Sequence, residues 1–357
     1  MNQRNEIGGG YWLTQEQIDY VINNNASSND FCFISDDEQH LSTCRSCLSF
    51  LAEQYTKRTI VVPFYTCSTV VDPFIEKGWK VIPYQIDRNL KIVWDKLIDI
   101  VLSESPSLIL FHSYFGFQTI NDNPECINWI KNRGIDIIND TTCSLLSTFS
   151  RIKSDYCVGS IRKWFPIPDG ALLQGINIPS IESYNKDLEK AKLDAFVTKA
   201  KYLSGASIDK NDMLEKFTHA THLIDMASVP YTIAPTSRIF LSKENVDSVR
   251  VLRRNNYNRL YHHIDSIEGI FLPLKEADFN TVPYLLPIIV NDRSELQKYL
   301  AINGVYATIL WTKPLQFMNI KDENSIYESI LCFPINQCYG LSDMDRIGLL
   351  LNNYYNE

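Results

Sequence analysis

The sequence predicts an α/β fold: a large domain on a mostly parallel sheet flanked by helices, followed by a smaller C-terminal α+β domain. Two observations carry this. Apolar runs of strand length alternate with helix-length stretches through the first half of the chain, the pattern of a parallel sheet covered by helices. A long charged helical stretch then ends at two prolines, Pro230 and Pro235, where a new unit begins; this divides the chain into residues 1–235 and 236–357.

Taken in order, the expected strands are TIVVPF (59–64), KVIPYQI (80–86), SLILFHSY (107–114), GIDIIND (134–140), SDYCVGS (154–160) and ALLQG (171–175). Each is a short, apolar, strand-like run. Between them lie helix-like stretches at Arg45 to Tyr55, Thr69 to Lys77, Trp94 to Ser103 and Pro124 to Arg133. From Ile181 to about Ala227 the pattern is helical, without strand signals. The second unit opens with a helix (Lys243 to Ile264), continues through strands TVPYLLPIIV (281–290) and TILW (308–311), and closes with a helix from Ser342 to Tyr354. No repeat, low-complexity segment or flexible linker interrupts it.

At 357 residues, with 45% hydrophobic and 12% aromatic content, the chain is long enough and apolar enough for a full core. Its 34 basic against 42 acidic residues give a net charge of -8, and no Lys/Arg run exceeds a pair, so no nucleic-acid partner is expected. No apolar stretch approaches the roughly 20 residues that span a bilayer, and MNQRNEIGGG lacks the apolar core of a signal peptide. The expectation is a cytoplasmic protein with no membrane partner. Nine cysteines, an odd number, argue for free thiols. Cys44-Arg-Ser-Cys47 spells C-x-x-C, but a redox or zinc site would want a second pair or histidines at suitable spacing. The reading adopted is two small residues in a strand-to-helix turn, with no metal.

Ligands of parallel sheets bind beyond the carboxyl ends of the strands, so the polar residues there are the candidates. They are Tyr65, Thr66 and Cys67 after TIVVPF, His112 and Tyr114 after SLILF, Asp140 after GIDIIN, and Ser160 and Lys163 after SDYCVG. A lysine and an aspartate on neighbouring strand ends suit a pyridine aldehyde cofactor. The amine forms a Schiff base with the aldehyde, and the carboxylate keeps the ring nitrogen protonated. A phosphate on such a cofactor needs backbone amides at a helix N-terminus and a hydroxyl; LSTCRSCLSF (41–50) supplies the first and Ser160 the second. Alone, Lys163 reads equally as a solvated loop lysine, Asp140 as a turn former, Ser160 as an N-cap and Arg45 as a surface cation. The combination, in this order along an α/β chain, favours the cofactor site.

With these residues in place the sequence resembles the fold-type I enzymes dependent on pyridoxal 5'-phosphate (PLP), and within them the DegT/StrS-type nucleotide-sugar aminotransferases. The matching segments are Ser42 to Leu48, Val62 to Cys67, His112 to Gly116, Asn139 to Ser144, Ser160 to Lys163 with Asp169-Gly170-Ala171, Asn303 to Tyr306 through Trp311 to Pro314, and Leu331 to Ile335. The resemblance implies PLP as cofactor, Lys163 as its covalent attachment point and Asp140 as partner of the pyridine nitrogen. It puts the phosphate on Ser160 and the turn of Cys44, Arg45 and Ser46, and sets Tyr65, Thr66, Cys67 and Cys143 around the ring. Four departures mark a divergent branch. Cys67 stands where the family has an aromatic residue, so stacking either passes to Tyr65 or is lost. Cys143 stands where the family has Gln or His. Ser160 precedes the lysine by three residues rather than five, and the Asn-x-Arg stretch of the neighbouring subunit is not recognisable in SVPYTIAPTSR (228–238).

The implied activity is transamination: an amino acid, L-glutamate being the expected donor, gives its nitrogen to a keto-sugar, nucleotide-linked, in surface polysaccharide or related sugar biosynthesis. The resemblance further implies a homodimer. Three alternatives stand beside it: a catalytically silent PLP-binding sensor, an ordinary α/β binding protein without PLP, and a PLP-dependent sugar dehydratase, against which the lysine counts because that branch carries histidine there. Gly8-Gly9-Gly10-Tyr11-Trp12 is read either as part of the site entrance or as an N-terminal turn.

Overall fold

The computed structural model describes residues 5–23, 32–34, 37–120, 123–226 and 230–356. It opens with strand β1 (Ile7–Gly8), helix α1 (Gln15–Asn23), strand β2 (Gln39–Leu41) and helix α2 (Cys44–Glu53). Alternating units follow: β3 (Thr59–Pro63), α3 (Ser68–Glu76), β4 (Lys80–Tyr84), α4 (Trp94–Glu104), β5 (Leu108–His112), α5 (Pro124–Lys131) and β6 (Asp136–Asp140). Next come β7 (Tyr156–Ser160), β8 (Ala171–Gln174), α6 (Lys186–Leu203), α7 (Lys210–Asp225), α8 (Pro235–Lys243) and α9 (Val246–Ile264). The chain closes with β9 (Leu286–Ile289), α10 (Arg293–Ile302), β10 (Val305–Tyr306), α11 (Ile326–Ser329), β11 (Ile330–Phe333) and α12 (Leu341–Asn356).

Seven strands form one sheet in the order β2-β8-β7-β6-β5-β3-β4. The run from β7 to β4 is parallel, and β8 lies antiparallel between β7 and β2. The central strands are apolar throughout because both of their faces are covered: Ile60, Val62, Leu108, Leu110, Ile137 and Ile138 are all fully buried. Each such side chain gains about 1.5–3 kcal/mol on leaving water, so the core fixes the sheet and the sheet fixes the polar groups at its ends.

The second unit differs from expectation in detail. Only Leu286–Ile289 of the segment 281–290 is strand, paired antiparallel with β11. TILW is not a strand; Thr308 makes a lone bridge to Cys332, and the apolar pattern there reflects the burial of Trp311. The helical stretch from Ile181 divides into α6 and α7 near Gly205, whose φ of +87° suits glycine, and Ala227 lies outside the described residues. The helix expected from Lys243 begins at Val246, where the Asn245 side chain accepts from the Ser248 amide; residues up to Lys243 belong to α8.

The N-terminal glycines form neither an entrance nor a loose turn. β1 pairs parallel with β10, Gly8 opposite Tyr306, and a Cβ on Gly8 would stand 2.5 Å from the Tyr306 carbonyl oxygen. The buried Lys199 of α6 donates to the carbonyls of Gly8 (2.7 Å) and Gly10 (2.6 Å). Burial pulls its pKa down to about 8.

Asp169, in the turn after the lysine segment, is buried and ties that turn to α8. It accepts from the Ser237 hydroxyl (2.7 Å) and the Ala234 amide (3.0 Å). Burial pushes its pKa up to about 7, against the pull of these donors. A carboxyl whose folded value lies above its unfolded value of roughly 3.9 takes up a proton on folding, so its contribution is full below about pH 4 and declines until about pH 7. Asp169→Asn keeps an acceptor but cannot titrate. Denaturation midpoints from pH 4 to 8 are therefore expected to show the variant gaining on the wild type by on the order of 2–4 kcal/mol up to about pH 7, then levelling. A gap independent of pH would disprove this.

Candidate active site

A cavity opens at the carboxyl ends of β3, β5, β6 and β7. These four strands are neighbours in the sheet and run the same way, so their last residues converge. The walls are Thr66 and Cys67 after β3, His112 from β5, Asp140 and Thr142 from β6, and Ser160, Arg162 and Lys163 from β7. The first turn of α2 adds Thr43, Cys44 and Arg45; α7 adds Ile224, and Trp311 adds an aromatic face.

Strand register sets the central pair. His112 and Asp140 lie opposite one another in the β5–β6 ladder, and the imidazole Nδ1 is 3.2 Å from the Asp140 carboxylate. Both are buried. Burial opposes charge on the ring, but the carboxylate and its hydrogen bond overcome that and raise His112 to about 10. Burial likewise opposes charge on Asp140, yet the imidazolium and the Thr142 amide, which donates at 2.8 Å, hold its carboxyl below the usual range. At neutral pH the cavity therefore presents a carboxylate backed by a cation. His112 stood on the same strand end in the sequence; its pairing with Asp140 depends on a register that strand patterns do not reveal.

The turn carrying Lys163 is held from several sides. β7 ends at Ser160, whose amide donates to the Thr142 hydroxyl (3.2 Å). Residues Ile161–Lys163 form a 3-10 turn, and the amides of Ile161 and Arg162 both donate to the Gly170 carbonyl (2.9 and 3.1 Å). Gly170 has φ +138°, and a Cβ there would stand 2.9 Å from Ile233 Cδ1. Trp164 is fully buried and its indole N–H donates to the Thr142 carbonyl (2.8 Å). The Tyr11 hydroxyl donates to the Lys163 carbonyl (3.3 Å) and accepts from Arg253 (2.6 Å).

Arg253, on α9, is fully buried and has no carboxylate within 4 Å among the described residues. Besides Tyr11 it donates to Gln337 Oε1 (3.0 Å) and the Tyr284 carbonyl (3.1 Å), and its guanidinium lies 4.6 Å from the centre of the Trp164 ring. Gln337 in turn donates to the Trp164 carbonyl (2.7 Å). Sequence reading missed this network, since its contacts to Arg253 span 31 to 242 positions.

At the other wall Thr43 caps α2. Its hydroxyl accepts from the Ser46 amide (3.1 Å) and lies 2.8 Å from the Ser46 hydroxyl. Cys44 and Arg45 occupy the first two helical positions, where backbone amides have no partner within the helix. The Arg45 guanidinium lies 3.7, 3.8 and 3.9 Å from Asp72, Glu76 and Asp225.

Of the sequence candidates, Lys163, Asp140, Ser160, Cys44, Arg45, Thr66 and Cys67 line the cavity together. Three do not. Tyr65, read as the stacking aromatic, is fully buried against Tyr114, Tyr327 and Trp311, and it is Trp311 that faces the cavity. Ser46 spends its amide on the cap, so the orphan donors are those of Cys44 and Arg45. Cys143 is buried beside the His112 ring, outside the lining. Cys44 and Cys47 sit in the first turn of α2 as free thiols, and burial raises both well above the usual thiol range. In the segment 228–238, Ser228 and Val229 lie outside the described residues.

The donor set suits a phosphorylated pyridine aldehyde. Amides at a helix start and the Ser160 hydroxyl match a phosphate, Asp140 matches a ring N–H, and Lys163 is an amine within the same walls. His112 Nε2 and Trp311 Nε1 are buried polar atoms without a partner, both on cavity-lining side chains. Among the described residues no helix is long and apolar enough to cross a membrane.

No protein-family model and no curated protein matches the sequence. Solved structures match over nearly the whole chain. PseC from Helicobacter pylori, an aminotransferase involved in the biosynthesis of pseudoaminic acid, is 12% identical, with 99% of this chain and 100% of that one covered and a TM-score of 0.68. The sugar aminotransferase CalS13 from Micromonospora echinospora is 12% identical, covering 97% and 99%, with a TM-score of 0.66. A DegT DnrJ EryC1 StrS aminotransferase from Brucella abortus is 14% identical, covering 97% and 92%, with a TM-score of 0.63. The chain has the fold of these enzymes, large parallel sheet and C-terminal unit together.

Proposed function

We propose that this chain is a PLP-dependent aminotransferase that moves an amino group from an amino acid, L-glutamate first, to a keto-sugar carried on a nucleotide. The observation that carries the reading is the meeting of Lys163 with the His112-backed Asp140 carboxylate in one cavity beside the start of α2. The fold shared with sugar aminotransferases supports the acceptor class.

The cofactor would supply an aldehyde for attachment and a ring that withdraws electrons from a neighbouring carbon. The α2 amides of Cys44 and Arg45, with Ser160, would hold its phosphate, and Asp140 its ring nitrogen. His112 favours the ionised form of that carboxylate. Lys163 takes the proton from the α-carbon of the amino acid and returns one to the former carbonyl carbon of the sugar, acting in turn as base and acid. Trp311 forms the aromatic wall that closes the cavity to water. In the same proposal the working form is a cytoplasmic homodimer and the boundary between its domains falls at residues 235–236.

The test is the near-visible absorbance of the purified protein with PLP, before and after L-glutamate. A band that shifts to the aminated form with glutamate is expected, and a keto-sugar screen then defines the acceptor. A band indifferent to every donor would replace the enzyme with a PLP-binding sensor, and no band at all would end both readings.

A further inference from the structure

The cavity holds two guanidinium groups in different circumstances. Arg45 faces three carboxylates at 3.7–3.9 Å. Arg162 lines the same cavity, yet among the described residues no carboxylate lies within 4 Å of it. Burial holds it below the usual guanidinium range, and of the groups whose fields oppose this, Tyr284 first, the one carboxylate is Asp225, which lies 3.9 Å from Arg45. A further cation, Lys192 of α6, lies near enough for burial and Arg162 together to pull it down to about 8. Arg162 is half-buried, so its guanidinium loses part of its hydration without gaining a counter-ion, and a neighbouring cation adds to that cost. An anion placed there relieves both.

We propose that Arg162 binds the α-carboxylate of the amino donor, at a subsite distinct from the phosphate seat at the start of α2. The proposal rests on the aminotransferase reading. Arg162 directly precedes Lys163 in the 3-10 turn, and the Gly170 carbonyl fixes its backbone amide. An amino acid whose nitrogen and α-hydrogen are served at Lys163 carries its carboxylate on the same carbon, so the carboxylate falls beside Lys163 as well. The planar guanidinium matches two carboxylate oxygens with two parallel N–H groups, a geometry that a lysine at this position would not provide. The phosphate has its own donors in the cavity lining, in the amides of Cys44 and Arg45 at the start of α2.

The experiment is calorimetric titration of the cofactor-free protein with glutarate, a dicarboxylate without an amine, alongside titration with PLP. Arg162→Gln is expected to weaken glutarate by about 10- to 100-fold, the loss of one charge-assisted pair, while PLP affinity stays within about threefold. Arg162→Lys, which keeps the charge without the fork, is expected to fall between. In the loaded protein the KM for L-glutamate rises with glutarate's Kd, and the Lys163 band without donor is unchanged. Glutarate affinity that survives in Arg162→Gln would overturn the proposal. So would a parallel loss of PLP affinity in both variants, which would make Arg162 a phosphate ligand. The aminotransferase reading fails by a different observation, a Lys163 band that no donor alters, and the cofactor-free titration is read independently of it.

Discussion

Lys163→Ala is expected to leave a folded protein that binds no PLP covalently and transfers no nitrogen. Among the described residues the Lys163 amine makes no hydrogen bond or ion pair, and its turn is held through backbone groups and Trp164, so truncation should move stability by about 0.5 kcal/mol or less. In the proposed reaction the amine serves twice, as attachment point and as proton carrier. Transamination is expected to fall by about 10⁴-fold or more, and the near-visible band should vanish while the melting temperature holds. Small primary amines added to the variant should restore part of the rate. A band that persisted in Lys163→Ala would place the covalent bond elsewhere and refute the site.

Arg253→Met is expected to cost about 3–5 kcal/mol in urea unfolding, the largest stability loss of any single change discussed here. Methionine replaces much of the packing volume, so the loss comes from the acceptors left behind: Gln337 Oε1, the Tyr284 carbonyl and the Tyr11 hydroxyl all lose a charged donor in a dry interior. Arg253→Lys keeps the charge but not the fork, and should recover less than half. Because Tyr11 and Gln337 connect Arg253 to the carbonyls of Lys163 and Trp164, amide hydrogen exchange at residues 161–165 should quicken in both variants. A loss below about 1 kcal/mol would show that the network is incidental.

The large sheet was legible because parallel strands buried on both faces carry their signal locally. TIVVP and LILFH are strands in themselves, whatever packs on them. The polar residues at their ends were legible for the same reason: once strand ends are known, so is the rim. What could not be read was contact across long separations. Tyr65 is the aromatic residue that sequence places next to the cavity, but it points into the core, and Trp311, from a segment that reads as a strand, takes the wall. Direction alternates along an extended chain, so an error of one position exchanges cavity for core. Arg253 gave no sequence signal because a lone arginine in a helix is ordinarily a solvent-facing charge.

The pairing of β1 with β10 has a bearing on biosynthesis. Ile7 is made well before its partner Val305, which comes almost 300 positions later. Arg253 and Gln337, which steady the lysine turn, also lie well downstream of that turn. Until the C-terminal unit has left the ribosome, the nascent chain can form most of its sheet but cannot anchor its own N-terminal strand or finish the support of Lys163. Lys163 thus reaches its fixed position only after Gln337 has been made, and a product truncated before that point would carry the lysine without the frame that orients it.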